Sequence, residues 1–202
     1  MNHPRGMLRH AAVVCVAAIL GGCAFGQKVT YSGTTADIEA KGTKSVAVAV
    51  HDERSYVVTG DKQPSFVGLS RGGFGNPFDI LTTSGAPLAN EMGTSVVKSL
   101  SDRGFKASAA HVAPSQSRRA TMEQLQSSGA ERRVLIALKE WKSDKYVRTS
   151  LTYDVTVKVY DSSDEELASA TFNGDEPIGD VQAAFRSKAL RSTRRWMRFR
   201  SL

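Results

Sequence analysis

The sequence predicts an α+β fold: a mixed β-sheet with helices mainly on one face, in the order β-α-β-α-β-β-β-α. Three observations carry that prediction. The runs Val46 to Val50 and Val134 to Leu138 are apolar on both faces, as buried central strands are. Between them Leu88, Met92, Val96 and Leu100 recur every four residues, the spacing of one helix face. Further on, Leu151, Tyr153, Val155, Val157 and Val159 alternate with Thr152, Asp154, Thr156 and Lys158, the period of a half-buried strand.

The remaining elements follow in order. Residues 52–87 are dense in Gly, Pro, Ser and Thr. They read as a surface segment with a role beyond connection, because loops longer than about 12–15 residues are uncommon in a compact domain. Phe66, Phe74 and Phe78, with Arg71, are its candidate partner contacts. Pro87 sits at the start of the Leu88 helix and Gly104 is its stop. A short strand is expected over 105–110, and Met122 and Leu125 mark a shorter helix ending at Gly129. The Val134 strand runs into Trp141 and turns around Ser143-Asp144. A hairpin turn over 161–166 leads to a return strand over 167–172. Pro177 opens a last helix, with Ile178, Val181, Phe185, Ala189, Trp196 and Phe199 on one stripe. Arg191, Arg194, Arg195 and Arg198 crowd its far side. That basic face either solvates a docked helix or meets an anionic surface such as phospholipid, lipopolysaccharide or an acidic partner.

The first 22 residues have the three parts of an export leader. Arg5 and Arg9 lie in a segment without acids, Ala11 to Leu20 is an unbroken apolar run, and Leu20-Gly21-Gly22-Cys23 closes it. The apolar run is too short to cross a bilayer, which takes roughly 20 residues. The last four residues resemble the lipobox of bacterial lipoproteins, where small residues let the peptidase close around the chain before the lipidated cysteine. The resemblance implies cleavage before Cys23 and palmitate-type acylation of its thiol. Two or three acyl chains on one residue suffice for stable anchoring. Ala24 stands where an aspartate would retain the protein in the inner membrane of enteric bacteria, so the expected location is the outer membrane, facing the periplasm. The Gly- and Thr-rich residues 24–43 read as a flexible tether, with a single domain over 44–202. A tether of that length spans on the order of 25 Å.

Composition narrows the function. The chain has 202 residues, 41% of them apolar, which is enough for one packed core. The formal charge of +7 falls to about +5 once Arg5 and Arg9 leave with the leader, too little for a dedicated nucleic-acid binder. Of the two cysteines, Cys15 leaves with the leader and Cys23 is spent on lipid, so no disulfide can form within the mature chain.

Catalytic motifs are weak. Gly68-Leu69-Ser70-Arg71-Gly72 fits the G-x-S-x-G pattern of a hydrolase elbow, with Ser70 as nucleophile and His111 the one histidine in the right order. The Gly73-Phe74-Gly75-Asn76-Pro77 that follows cannot open the helix an elbow needs. Those glycines lack the Lys-Ser/Thr of a phosphate-binding loop. Asp161, Asp164, Glu165 and Glu166 lack the spacing of a calcium loop and read as a solvated turn. No catalytic residue, cofactor or metal ligand is therefore assigned.

The lipobox, the Val-rich strand ending in Asp52-Glu53-Arg54, the Leu-Ala-containing helix and the Trp141-Lys142-Ser143-Asp144 strand end together resemble the YajG-type proteobacterial lipoproteins. The resemblance implies an envelope location. The strand order is also similar to the amino-terminal domain of TolB and to lipoproteins that activate peptidoglycan synthases, an analogy of fold only. The resulting expectation is a non-enzymatic, lipid-anchored envelope protein that binds an envelope protein partner in outer-membrane or cell-wall assembly. The alternative is a serine hydrolase using Ser70.

Overall fold

The structure is a computed structural model and describes residues 27–178. Its elements run β1 (Lys28–Val29), β2 (Ser45–Asp52), α1 (Ser55–Val58), β3 (Phe66–Arg71), β4 (Pro77–Thr82), α2 (Leu88–Ser101), β5 (Lys106–Ala110), α3 (Arg118–Ser127), β6 (Arg132–Lys145), β7 (Thr149–Asp161) and β8 (Glu166–Pro177).

The spine of the sheet is β6. One edge pairs antiparallel with β7 along its whole length, and β7 pairs antiparallel with β8. The other edge is shared end to end. The first half, Arg132 to Leu138, pairs in parallel with β2, which carries β5 on its far side. The last part, Ser143 to Lys145, pairs in parallel with β3, followed outward by β4 and β1. Parallel and antiparallel pairs therefore coexist, and the mixed α+β class is the one the sequence predicted.

The layering differs from the expectation of helices mainly on one face. Val46, Val48 and Val50 point to the side where Leu88, Ala89, Met92, Val96 and Leu100 of α2 pack. Ala47 and Ala49 point the other way, against Leu125 of α3, Val112 and Leu135. Alternation along one strand puts successive side chains on opposite faces. The small alanines leave room for α3, so the two longer helices cover opposite faces of β2.

Four local differences matter for function. The 52–87 segment is no open loop: it holds α1 and the β3–β4 hairpin, closed by the turn in which Gly72 donates to the Asn76 carbonyl at 2.9 Å. The turn expected at Ser143-Asp144 falls later, at residues 146–148, because β6 continues to pair with β3. The return strand expected over 167–172 extends as β8 to Pro177, and Ile178 directly after it is helical, so a helix does begin at the end of Pro177. As the last residue of a terminal strand Pro177 removes no needed ladder donor.

The fourth concerns residues 24–43, expected as a tether; those within the structure, 27–43, are strapped to the domain. Tyr31 and Ser32 donate their backbone N–H groups to Glu91 Oε2 at 2.7 and 3.3 Å. Ser95 donates to the Thr34 carbonyl at 2.5 Å, and Ala36 N–H donates to Ser99 Oγ at 2.7 Å. Glu91, Ser95 and Ser99 are spaced four apart, so one polar stripe of α2 holds an extended chain. Trp141 Nε1 donates to the Tyr31 hydroxyl at 3.1 Å, with the two rings edge to face at 6.1 Å. Burial pushes the Tyr31 phenol above its ordinary pKa.

Candidate functional site

The most distinctive polar feature sits where β6 changes partners. On that edge β2 ends opposite Leu138 and β3 begins opposite Ser143, which leaves the backbone between them without a strand. Buried backbone groups need partners, and the fully buried Arg54 supplies them. Its guanidinium donates to Asp52 through Nε at 2.8 Å and Nη2 at 2.7 Å. The same group donates to the carbonyls of Phe66 at 2.5 Å, Pro64 at 3.2 Å and Trp141 at 3.5 Å. Burial acts to lower the Arg54 pKa, but the hydrogen bonds and charge of Asp52 outweigh it and the guanidinium stays above its ordinary value. The Tyr56 hydroxyl closes the gap, donating to Glu140 Oε1 at 2.6 Å and lying 3.2 Å from the Trp141 carbonyl. Burial, with the Glu140 hydrogen bond, raises its pKa well above the usual phenol range. These groups join the two halves of the sheet and have no open face for a substrate.

His51 and Glu53 are similarly committed, whereas His111 is exposed. His51 faces Glu53 Oε1 at 2.8 Å through Nδ1 and the Gln116 carbonyl at 2.6 Å through Nε2. Glu53 also accepts from Arg118 Nη2 at 2.6 Å. Ser70 lies within β3, paired with Phe78 and Lys145, and the chain continues into antiparallel β4. The strand–turn–helix of a nucleophile elbow is therefore not formed at Ser70. Asp161 accepts from the backbone N–H groups of Ser163 and Glu165, at 2.8 and 3.0 Å, so the 161–166 acids build a hairpin turn as expected. Among the described residues no group of three or more His, Cys, Asp or Glu could hold a metal, and no helix is long and apolar enough to cross a membrane.

What remains is a surface at one end of the sheet. Strands β3 and β6 are parallel, with Ser70 opposite Lys145, so the β3–β4 and β6–β7 turns leave from the same end. Phe74 stands fully exposed at 102%, at the centre of the glycine-rich turn. Gly75 adopts φ 81°, a conformation that favours glycine, in completing it. On the neighbouring turn Val147 is 87% exposed and Tyr146 is 55% exposed. Beneath them Arg71 makes a two-pronged ion pair with Asp144, Nε to Oδ1 at 2.8 Å and Nη2 to Oδ2 at 2.6 Å. That hydrogen bonding holds the Asp144 carboxyl below its ordinary pKa and ties the two hairpins together. Lys145 and Arg148 are exposed beside them.

The structure separates the residues singled out in the sequence. Phe74 and Arg71 belong to this end of the sheet. Phe78 is partly buried in β4. Phe66, expected to contact a partner, is 1% exposed; it is a core residue, stacked edge to face with Tyr56 at 5.4 Å. Cys23, Arg191, Arg194, Arg195 and Arg198 lie outside the described residues. Tyr146 and Val147 were missed, because the turn that exposes them was placed three residues too early.

A mixed sheet with helices on two faces, a strapped amino-terminal segment and an apolar-tipped end define an α+β scaffold. No family model and no curated protein matches the chain, and the YajG-type likeness stands on its sequence features alone. Solved structures give distant likenesses. A Xanthomonas campestris protein of the family model DUF330 is 15% identical, over 84% of this chain and 92% of its own, with a TM-score of 0.42. The PelC dodecamer from Paraburkholderia phytofirmans is 15% identical, over 71% and 79%, at 0.38. Lipoprotein GNA1162 from Neisseria meningitidis is 13% identical, over 74% and 99%, at 0.33. Nothing about function follows from likenesses at this level.

Proposed function

We propose that this protein is a lipid-anchored lipoprotein of the bacterial envelope, held through acylated Cys23, that acts by binding an envelope protein partner rather than by catalysis. The observation that carries the reading is the lipobox Leu20-Gly21-Gly22-Cys23, set directly after an apolar run of leader length. The strap supports it: a segment fastened along α2 passes a pull on the anchor into the body of the domain. The commitment of His51, Glu53, Asp52 and Arg54 to internal contacts supports a binding role over a catalytic one. The outer membrane, facing the periplasm, is the location proposed, with outer-membrane or cell-wall assembly as the setting and neither cofactor nor nucleic acid required.

The test is metabolic labelling with palmitate. Wild-type chain should take up label, and Cys23→Ser should take up none and accumulate as precursor. Labelling of the serine variant would refute the anchor. A fluorophosphonate probe addresses the hydrolase alternative: no labelling is expected, and labelling lost in Ser70→Ala would establish a serine nucleophile instead. Crosslinking in cells should capture a defined envelope protein.

A further inference from the structure

Of the large apolar side chains exposed among the described residues, Phe74, Tyr146, Val147 and Ile178 leave the sheet at one end. Phe74 and the Tyr146-Val147 pair share it through the β3–β6 register, and Ile178 follows Pro177, which pairs with Ser150 at the foot of the β6–β7 turn. At this end Asp144 is paired with Arg71, and the β6–β7 turn exposes Lys145 and Arg148, while the acids Asp175 and Glu176 stand farther back along β8.

The amino-terminal chain arrives from the same direction. Strand β1 is parallel to β4, with Lys28 opposite Leu81 and Val29 opposite Thr82. Since β4 runs away from the Gly72–Asn76 turn, β1 enters the sheet from the side of that turn, with Gln27 at its near end. Lys145 Nζ lies 3.2 Å from Gln27 Oε1, which ties the entry of the chain to the β6–β7 turn. Gln27 is four residue steps from Cys23, a reach of at most about 14 Å at full extension. From the level of Ile80 to that of Pro77 is roughly 10 Å of strand. The anchor thus reaches the plane of the turns and little beyond it.

We infer that this end of the sheet rests on the bilayer that holds the anchor, with Phe74, Tyr146 and Val147 entering the interfacial region and Lys145 and Arg148 facing anionic phospholipid headgroups. Aromatic side chains partition to the interface, and basic residues are drawn to an anionic leaflet within a Debye length. The short leash supplies the rest, since a domain held within about 14 Å of its lipid cannot turn this end far from the surface. The sheet then stands on the membrane, presenting the β7–β8 turn to the periplasm. The inference rests on lipidation of Cys23.

The experiment uses the full-length chain, lipidated in cells, purified and reconstituted in phosphatidylethanolamine–phosphatidylglycerol vesicles with brominated acyl chains. A bimane probe is placed singly through F74C, V147C or S162C, the last on the β7–β8 turn roughly 40 Å from the first two along the strands. Palmitate content is measured on the same samples. Quenching of the probes at 74 and 147, weakened by high salt only in part, and none at 162 is the expected result. Equal quenching at all three positions, or none at 74 with palmitate present, overturns the inference and leaves the anchor standing. That second pattern, with the probe at 74 shielded in crosslinked dimers, would assign this end to a second copy of the chain. Absence of palmitate overturns the anchor and this inference with it.

Discussion

Replacing Arg54 by methionine tests the account of the sheet most severely. Methionine preserves much of the volume but removes every donor. The Asp52 carboxylate, itself 2% exposed, would lose its two-pronged partner, and the Phe66 carbonyl would lose its shortest donor. Breaking a buried ion pair from one side costs about 3–5 kcal/mol, and orphaned carbonyls add to it. For a domain of this size each kcal/mol shifts Tm by about 2–4 °C, so a fall of roughly 6–20 °C is expected. The assay is reversible urea and thermal unfolding of the soluble domain, with the double variant Asp52→Leu/Arg54→Met as control. Removing both charges should recover part of the loss, because the uncompensated carboxylate is gone. A loss under about 1 kcal/mol for Arg54→Met, or no recovery in the double variant, would refute the reasoning.

Further outcomes are expected, two from the geometry and the rest from the sequence. Gly68→Ala would drive a Cβ into the Ser143 hydroxyl and backbone carbonyl, so the β3–β6 pairing should loosen at a cost of about 1–3 kcal/mol or more in urea unfolding. Burial acts to raise the Glu53 pKa, but hydrogen bonds from His51 and Arg118 outweigh it and leave the folded value lowered. Its stabilisation is therefore present above the unfolded glutamate value, about 4.3, and is lost as pH falls through the folded one; Glu53→Gln should flatten stability against pH below about pH 5. The quadruple change of Arg191, Arg194, Arg195 and Arg198 to Gln should leave Tm nearly unchanged, and Trp196→Ala should cost about 3–5 kcal/mol of stability if Trp196 docks as the sequence pattern predicts. Flotation with acidic liposomes decides the arginines: loss of salt-sensitive binding in the quadruple variant makes them a membrane contact, at about 1 kcal/mol each.

The parts legible in the sequence are those whose pattern is local. Leu88 to Leu100 announces α2 by its four-residue period, and 151–159 announces β7 by strict alternation. The β3–β4 hairpin was hidden because Gly68 interrupts the apolar pattern at a bulge and the turn is nearly all glycine. The strap was hidden because its partners lie about 60 residues away, although Glu91, Ser95 and Ser99 already form a second four-residue period beside the apolar one. The turn after β6 was misplaced for the opposite reason. Ser143 and Asp144 look like turn residues, but the first packs on Gly68 and the second pairs with Arg71. Phe66, Phe74 and Phe78 are alike by composition, and only strand register tells the core ring from the exposed one. The role of Asp52 and Arg54 needed the broken edge of β6, which no local pattern reveals.

The central claim is the anchor, and the intact mass of the protein isolated from its native membrane tests it most directly. The account predicts a chain beginning at Cys23 whose mass exceeds that of residues 23–202 by a diacylglyceryl group, with or without a third acyl chain. A chain that begins elsewhere, or one that begins at Cys23 with a free thiol, would contradict it.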